Sequence, residues 1–287
     1  MHRHFLTLPK WVILLATGGG SLALVALLLN RFSLPASFQV NTSVPQTELG
    51  VASSEFDLGP RHQLTYKQWV DLLQREARVA ADQRPKRLTI LAGDSLSLWF
   101  PQELLPVGFT WLNQGISGET SYGLLRRLKL FDATHPDTIF IMIGINDLIR
   151  GVREETLLAN QREIVRHLKV AHPHAQIVVQ SILPHGGTLL LDEQYRRAVQ
   201  RNQQPPPWVD RLYLIPNHYI RELNKHLAAI ARQEKVEYLD LHTHFTNEKG
   251  DMRPDLTTDG LHLSSQGYKV WRSQLELFFK AEMRGKG

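Results

Sequence analysis

Four short stretches of the chain carry the residue types of acyl-transfer chemistry. Gly93-Asp94-Ser95 closes an apolar run, LTILA at 88–92. NQGISGETS at 113–121 holds Gly115 and Gly118, GINDL at 144–148 holds Asn146, and TDGLH at 258–262 holds Asp259 and His262. A serine hydroxyl attacks a carbonyl only when a base takes its proton, and imidazole is the side chain best poised to do so near neutral pH. A carboxylate beside the imidazole fixes its tautomer and stabilises the imidazolium. Asp259 and His262, three residues apart just before a helical pattern, can present both groups on one turn. The oxyanion needs preorganised donors, each worth roughly 10²–10³ in rate. The backbone N–H groups of Ser95 and Gly118 and the side-chain amide of Asn146 can supply three. Gly118 also allows a close backbone approach that a side chain would block.

Each of these residues also has an ordinary reading. Ser95 can be the cap of the next helix, and Asn146-Asp147 can simply start one. Gly118 can be a turn glycine, Asp259-Gly260 a turn, and His262 one loop histidine among 13. The weight lies in their order and their placement, each just after a strand-like run. In an open parallel sheet, ligands bind outside the carboxyl ends of the strands.

The elements that must position them follow from hydrophobic period. Strands are expected at 88–92, 109–112, 138–143, 176–181 and 236–241, and helices near 120–131, 154–170, 217–233 and 265–282. Near-continuous apolar strands alternating with helices imply a parallel sheet covered on both faces. Upstream, Thr65 and Gln68 form a capping box for a helix with Tyr66, Val70, Leu73, Ala77 and Ala80 on one face, ending before Pro85. Between the fourth strand and the helix opening near Asn217 lie about 35 residues, including RNQQPPPWVDRLY. Loops of that length are uncommon inside a domain and are often functional. Its three prolines predict a stiff extended segment, with Trp208 and Tyr213 as anchors, equally suited to a lid or a surface excursion.

Length and composition exclude several classes. The 287 residues are 43% hydrophobic and 21% charged, an ordinary globular balance, and the net charge of +5 is scattered rather than gathered into a nucleic-acid-binding run. The chain has no cysteine, which removes disulfides, thiolate metal sites and cysteine nucleophiles. Residues 11–29, WVILLATGGGSLALVALLL, are uncharged and long enough to span a bilayer. Arg3 and Lys10 precede this segment and Arg31 follows it, after which acidic residues predominate up to Arg61. The expectation is a single-pass anchor at 1–32 with the remainder extracytoplasmic, a flexible linker at 33–64 and a globular domain at 65–287. The alternative is a signal peptide cleaved near LPAS at 34–37, followed by secretion.

In this order, GDSLS, NQGISGETS, GINDL and DGLH resemble the four sequence blocks of the SGNH (GDSL) hydrolase family, over roughly residues 86–283. The resemblance implies a flavodoxin-like three-layer α/β/α fold with a five-stranded parallel sheet, and serine esterase, lipase, thioesterase or acyltransferase activity without a metal or other cofactor. It implies Ser95 as nucleophile, Asp259 and His262 as the rest of a triad, and Ser95, Gly118 and Asn146 as the oxyanion hole. Gly115 is the alternative to Gly118. The Gly-x-Ser-x-Gly elbow of α/β-hydrolases is absent around Ser95. The expected partners are a small-molecule or lipid ester, with lysophospholipids among the candidates, and the membrane, but no nucleic acid. The alternatives are an O-acetyl esterase or acyltransferase on a cell-envelope polysaccharide, and a catalytically silent envelope binding module. His242 and His244, on a strand face without a third ligand, make a poor metal pair. HPHA at 172–175 reads as a loop that ends a helix, and Asp94 as an organiser of its turn.

Overall fold

The computed structural model describes residues 64–285. The chain enters through α1 (Tyr66–Gln83), whose first turn is closed by the expected capping box: the Thr65 side chain accepts from Gln68 N while the Gln68 side chain accepts from Thr65 N. A left-handed Arg84 ends the helix just ahead of Pro85. The buried face is Trp69, Leu73, Ala77 and Ala80, and Tyr66 is 53% exposed. Tyr66 was expected inside; its ring instead stands at the rim, where its hydroxyl reaches a carboxylate described below.

Five parallel strands follow: β1 (Leu88–Gly93), β2 (Thr110–Gly115), β3 (Thr138–Met142), β4 (Gln176–Gln180) and β5 (Glu237–Leu239), in the order β2-β1-β3-β4-β5. The three central strands, β1, β3 and β4, are buried on both sides. Leu88, Ile90 and Ala92 of β1, Ile139 and Ile141 of β3, and Ile177 and Val179 of β4 join one core. Leu91, Phe140, Met142 and Val178, the residues between them, join the other. The first core is closed by α3 (Ser121–Arg127), α5 (Glu154–Ala171) and α8 (Asn217–Glu234) through Leu124, Ile164 and Leu227. The second is closed by α10 (Ser265–Gly285) through Trp271 and Leu275, and by Leu96 of the short helix α2 (Ser95–Leu98). Each fully buried side chain of this size contributes roughly 1.5–3 kcal/mol, so a strand slipped by one residue would still meet an apolar layer. Register is set by the glycine-rich strand ends instead. Gly93 pairs with Gly115 on one side and Met142 on the other, so that the loops after β1, β2 and β3 leave the sheet at one level.

The structure differs from expectation in three places. β2 runs on to Gly115, because its polar residues are satisfied within the fold: Asn113 Nδ2 donates to Ser97 O (2.6 Å) and Gln114 Nε2 to Leu73 O (3.2 Å). β5 stops at Leu239, and His242 and His244 lie on a short helix, α9 (His242–Phe245), rather than on a strand face. The cause is Ser181, whose hydroxyl takes the N–H groups of Leu241 and His242 (2.8 Å each) and ends the ladder. The long interval before Asn217 holds two helices, α6 (Gly187–Gln200) and α7 (Pro207–Leu212). The triple proline keeps its extended character only up to Pro206, since Pro207 takes the first helical position, where its missing N–H costs nothing.

No helix among the described residues is long and apolar enough to cross a membrane. The segment 11–29, the cleavage alternative at 34–37 and the linker as far as residue 63 lie outside the described residues.

Candidate active site

Ser95 is the first residue of α2, and the cap of that helix is its neighbour. Asp94 is extended, and its Oδ1 accepts the Leu96 N–H at 3.0 Å. The sharp strand-to-helix turn depends on two missing side chains. A Cβ on Gly93 would lie 2.2 Å from Met142 O, and one on Gly115 would lie 2.5 Å from Leu98 N and 2.8 Å from Asp94 O. Gly115 therefore serves the packing of α2 against β2. Gly118, with φ +72°, makes the turn beyond it, in a conformation that L side chains rarely adopt.

Asp259 and His262 meet as their spacing predicts. Asp259 Oδ2 lies 2.7 Å from His262 Nδ1, while Oδ1 accepts the N–H groups of Leu261 (2.9 Å) and His262 (2.7 Å). Burial works to raise the Asp259 carboxyl, but the hydrogen bond and charge of His262, with the two backbone donors, hold it below the usual carboxylate range. With Nδ1 engaged, Nε2 is the nitrogen left for a reacting hydroxyl. The imidazole sits over the serine helix: its centroid is 4.3 Å from the ring of Trp99, a residue whose backbone N–H donates to Ser95 O. Tyr268, on α10, ties the same helix down through a 3.1 Å bond to Leu96 O. Trp208 of α7 stands edge-on to His262 at 6.1 Å, so the segment weighed evenly as a lid or a surface excursion puts one of its two expected anchors against the site.

Asn146 lies in the short helix α4 (Ile145–Ile149), after Gly144 at φ +137°, and its Nδ2 is 3.4 Å from Asp94 Oδ2. Asn146 therefore opens a helix and faces the serine loop. The buried Asp147 beside it fastens two loops together, its oxygens taking Ser121 N (2.8 Å) and Ser121 Oγ (2.6 Å). Four loops thus bring a hydroxyl, a left-handed glycine, an amide and a carboxylate–imidazole pair to one sheet edge.

The profile of the GDSL-like Lipase/Acylhydrolase family matches residues 90–270, which include all five of these residues. The chain belongs to that family. Its sequence is 45% identical over 170 residues to the isoamyl acetate-hydrolyzing esterase of Saccharomyces cerevisiae, covering 57% of this chain and 66% of the yeast protein. It is 23% identical over 189 residues to an N-acylneuraminate cytidylyltransferase of Streptococcus agalactiae, covering 66% of this chain and only 38% of that longer protein. Among solved structures, a Streptococcus pneumonia protein, provisionally described as a platelet activating factor, superposes with a TM-score of 0.61 at 26% identity, over 74% of this chain and 93% of its own.

Several residues that support this acylhydrolase-family site were not singled out by sequence reasoning. Glu119 and Arg127 form a buried ion pair (2.7 Å), Arg127 Nη2 donates to Gly93 O (3.0 Å), and the Tyr66 hydroxyl reaches Glu119 Oε2 (3.2 Å). α1 is thereby connected to the loop carrying Gly118 and to the strand end before Ser95. The available signal was an arginine inside the apolar stripe Leu124–Leu128, since a buried charge needs a partner. Asp94 does organise its turn, and burial pushes its carboxyl up to about 7, against the Leu96 N–H bond and the nearby His262. His172 caps the end of α5, stacked at 6.0 Å on Phe131, as the HPHA loop predicts. No group of three possible metal ligands occurs among the described residues, and His242 is buried at the start of α9.

Proposed function

We propose that the chain is a serine hydrolase that cleaves carboxylic esters through an acyl-enzyme on Ser95. The observation that carries this reading is the 2.7 Å bond from Asp259 to His262 Nδ1, made where His262 packs on the helix that begins at Ser95. Ser95 Oγ attacks the ester carbonyl and His262 Nε2 takes its proton. The charge that grows on the carbonyl oxygen is met by the N–H groups of Ser95 and Gly118 and by Asn146 Nδ2. His262 returns its proton to the leaving alkoxide, the alcohol departs, and His262 then draws a proton from water to release the acid and restore Ser95.

A short acyl group suits this site best. The recess lined by Leu96, Ile143, Ile182 and Leu261, neighbours of the reacting residues, has a volume of about 10 Å³. That is the space of roughly one water, and the yeast relative is named for an acetate ester. This recess also favours the second reading, removal or transfer of acetyl groups on cell-envelope polysaccharide, over a lysophospholipase. The test of the hydrolase is a fluorophosphonate probe followed by peptide mapping. Ser95 is expected to carry the label, and a label on a different serine, or none, overturns the assignment.

The reading extends to the N-terminus: residues 11–29 anchor the chain and the catalytic domain faces the extracytoplasmic side. The uncharged run and the flanking Arg3, Lys10 and Arg31 support it. The full-length chain is expected in the membrane fraction, with residues 65–287 open to protease added to intact cells. Soluble mature protein that begins after residue 30 would overturn the anchor.

A further inference from the structure

Beside Gly118 opens a cleft of about 570 Å³, separate from the small recess next to Leu96. Its walls come from α1, from the loop after β2 and from α3, with Arg150 at the end of α4 closing one side. Three arginines line it, and they differ in what they can offer. Arg127 is buried and neutralised by Glu119, the one carboxylate in the lining. Arg126 and Arg150 are exposed, and neither forms a salt bridge among the described residues. Arg150 Nη2 donates to Gly118 O at 2.8 Å, leaving its other donors available. Its positive charge also reaches the carboxylate of Asp147, which is already held by Ser121. Arg126 lies over the exposed ring of Tyr122, 5.9 Å from the centroid, so the cation is presented on an aromatic surface.

We propose that this cleft is a subsite for an anionic group, carboxylate or phosphate, on the alcohol part of the ester, with Arg126 and Arg150 as its ligands. The inference rests on the hydrolase reading and deepens it. The recess beside Leu96 is too small for the alcohol part, so the larger and more polar part of the substrate lies on the open side of Gly118. There, two exposed guanidinium groups outside any salt bridge among the described residues match a planar or tetrahedral anion through paired N–H donors. The cleft is continuous with the reacting centre because Gly118 belongs to both: its N–H serves the oxyanion, and its carbonyl holds Arg150.

The test compares 4-acetoxybenzoate with its uncharged methyl ester, two acetates that differ in one negative charge on the leaving group. The wild-type chain is expected to favour the carboxylate in kcat/KM, and Arg126→Gln is expected to reduce that preference about ten-fold, the worth of one hydrogen-bonded charge. Arg150→Gln is expected to do the same. It alters the rates of both esters through Gly118, but the ratio isolates the anion. Raising salt should shrink the wild-type preference and leave that of the double variant unmoved. A second pair of probes, acetylated glycerol 3-phosphate and a phosphatidylglycerol carrying an sn-2 acetyl group, separates a soluble anionic alcohol from a phospholipid headgroup. Loss of rate in the double variant on either probe supports the subsite and names the source. Turnover of both benzoates with no wild-type preference, or with a preference that both variants keep, overturns the subsite alone. If neither ester turns over and Ser95 takes no fluorophosphonate, the hydrolase reading falls and the subsite with it.

Discussion

Replacing Ser95 with alanine is expected to reduce kcat on a short p-nitrophenyl ester by about 10⁶, the loss found when a serine nucleophile is removed from a triad that acts as a unit. The residual rate would come from the oxyanion donors and from binding, which together retain roughly 10³–10⁴ over water. The fold should survive, for a local reason: the cap of α2 is Asp94, whose Oδ1 holds Leu96 N, so removing the Ser95 hydroxyl leaves the cap in place. Nor does the tight contact between β2 and α2 involve that hydroxyl, since it depends on Gly115 meeting Leu98 N and Asp94 O. Alanine is also the best helix former at this exposed-free first position. Steady-state kinetics and thermal unfolding of the same preparation decide the matter. Turnover above about one per cent of wild type, with an unchanged unfolding transition, would place the nucleophile elsewhere.

The centre of the sheet was legible because β1, β3 and β4 are apolar on both sides and stand out as continuous runs that polar loops cannot imitate. The loop residues were legible for a different reason. Four motifs in a fixed order have few meanings in common, whereas each alone has a bland one. Where reading failed, the deciding partner was distant in sequence. Nothing near Leu241 announces that the chain turns there; the hydroxyl of Ser181, 60 residues earlier, takes the N–H groups. The helices α6 and α7 were missed because Gly186-Gly187 at one end and the prolines at the other look like loop punctuation. Their buried apolar residues, Leu191 and Ala198 in α6 and Val209 and Leu212 in α7, are too few in each helix to show a period. The Glu119–Arg127 pair shows the same limit, since sequence shows two charges and only the fold shows that both are buried. The cap of the serine helix is a finer case: Asp and Ser are equally good caps, and the choice of Asp94 was settled by where the sheet ends.

Asp259→Asn isolates the orienting carboxylate more cleanly than alanine does. Asp259 performs two tasks with two oxygens: Oδ1 takes the N–H groups of Leu261 and His262, and Oδ2 takes His262 Nδ1–H. An asparagine oriented with its oxygen at the Oδ1 position keeps both backbone bonds, and so keeps the turn that ends at His262. Its amide nitrogen then faces Nδ1, where it can only donate. The imidazole must offer Nδ1 as an acceptor and carry its proton on Nε2, the wrong tautomer for taking a proton from Ser95. The negative charge that stabilises the imidazolium is lost as well. The expected cost is about 10⁴ in kcat, the size seen when this exchange is made in a serine triad, with little change in KM because neither oxygen faces the substrate. Alanine, by contrast, also strips the turn of its acceptor and confounds chemistry with folding. Steady-state kinetics on a neutral acetate ester, alongside unfolding, would measure both. A loss smaller than ten-fold would mean that His262 holds its tautomer without Asp259, leaving the carboxylate a turn-former only.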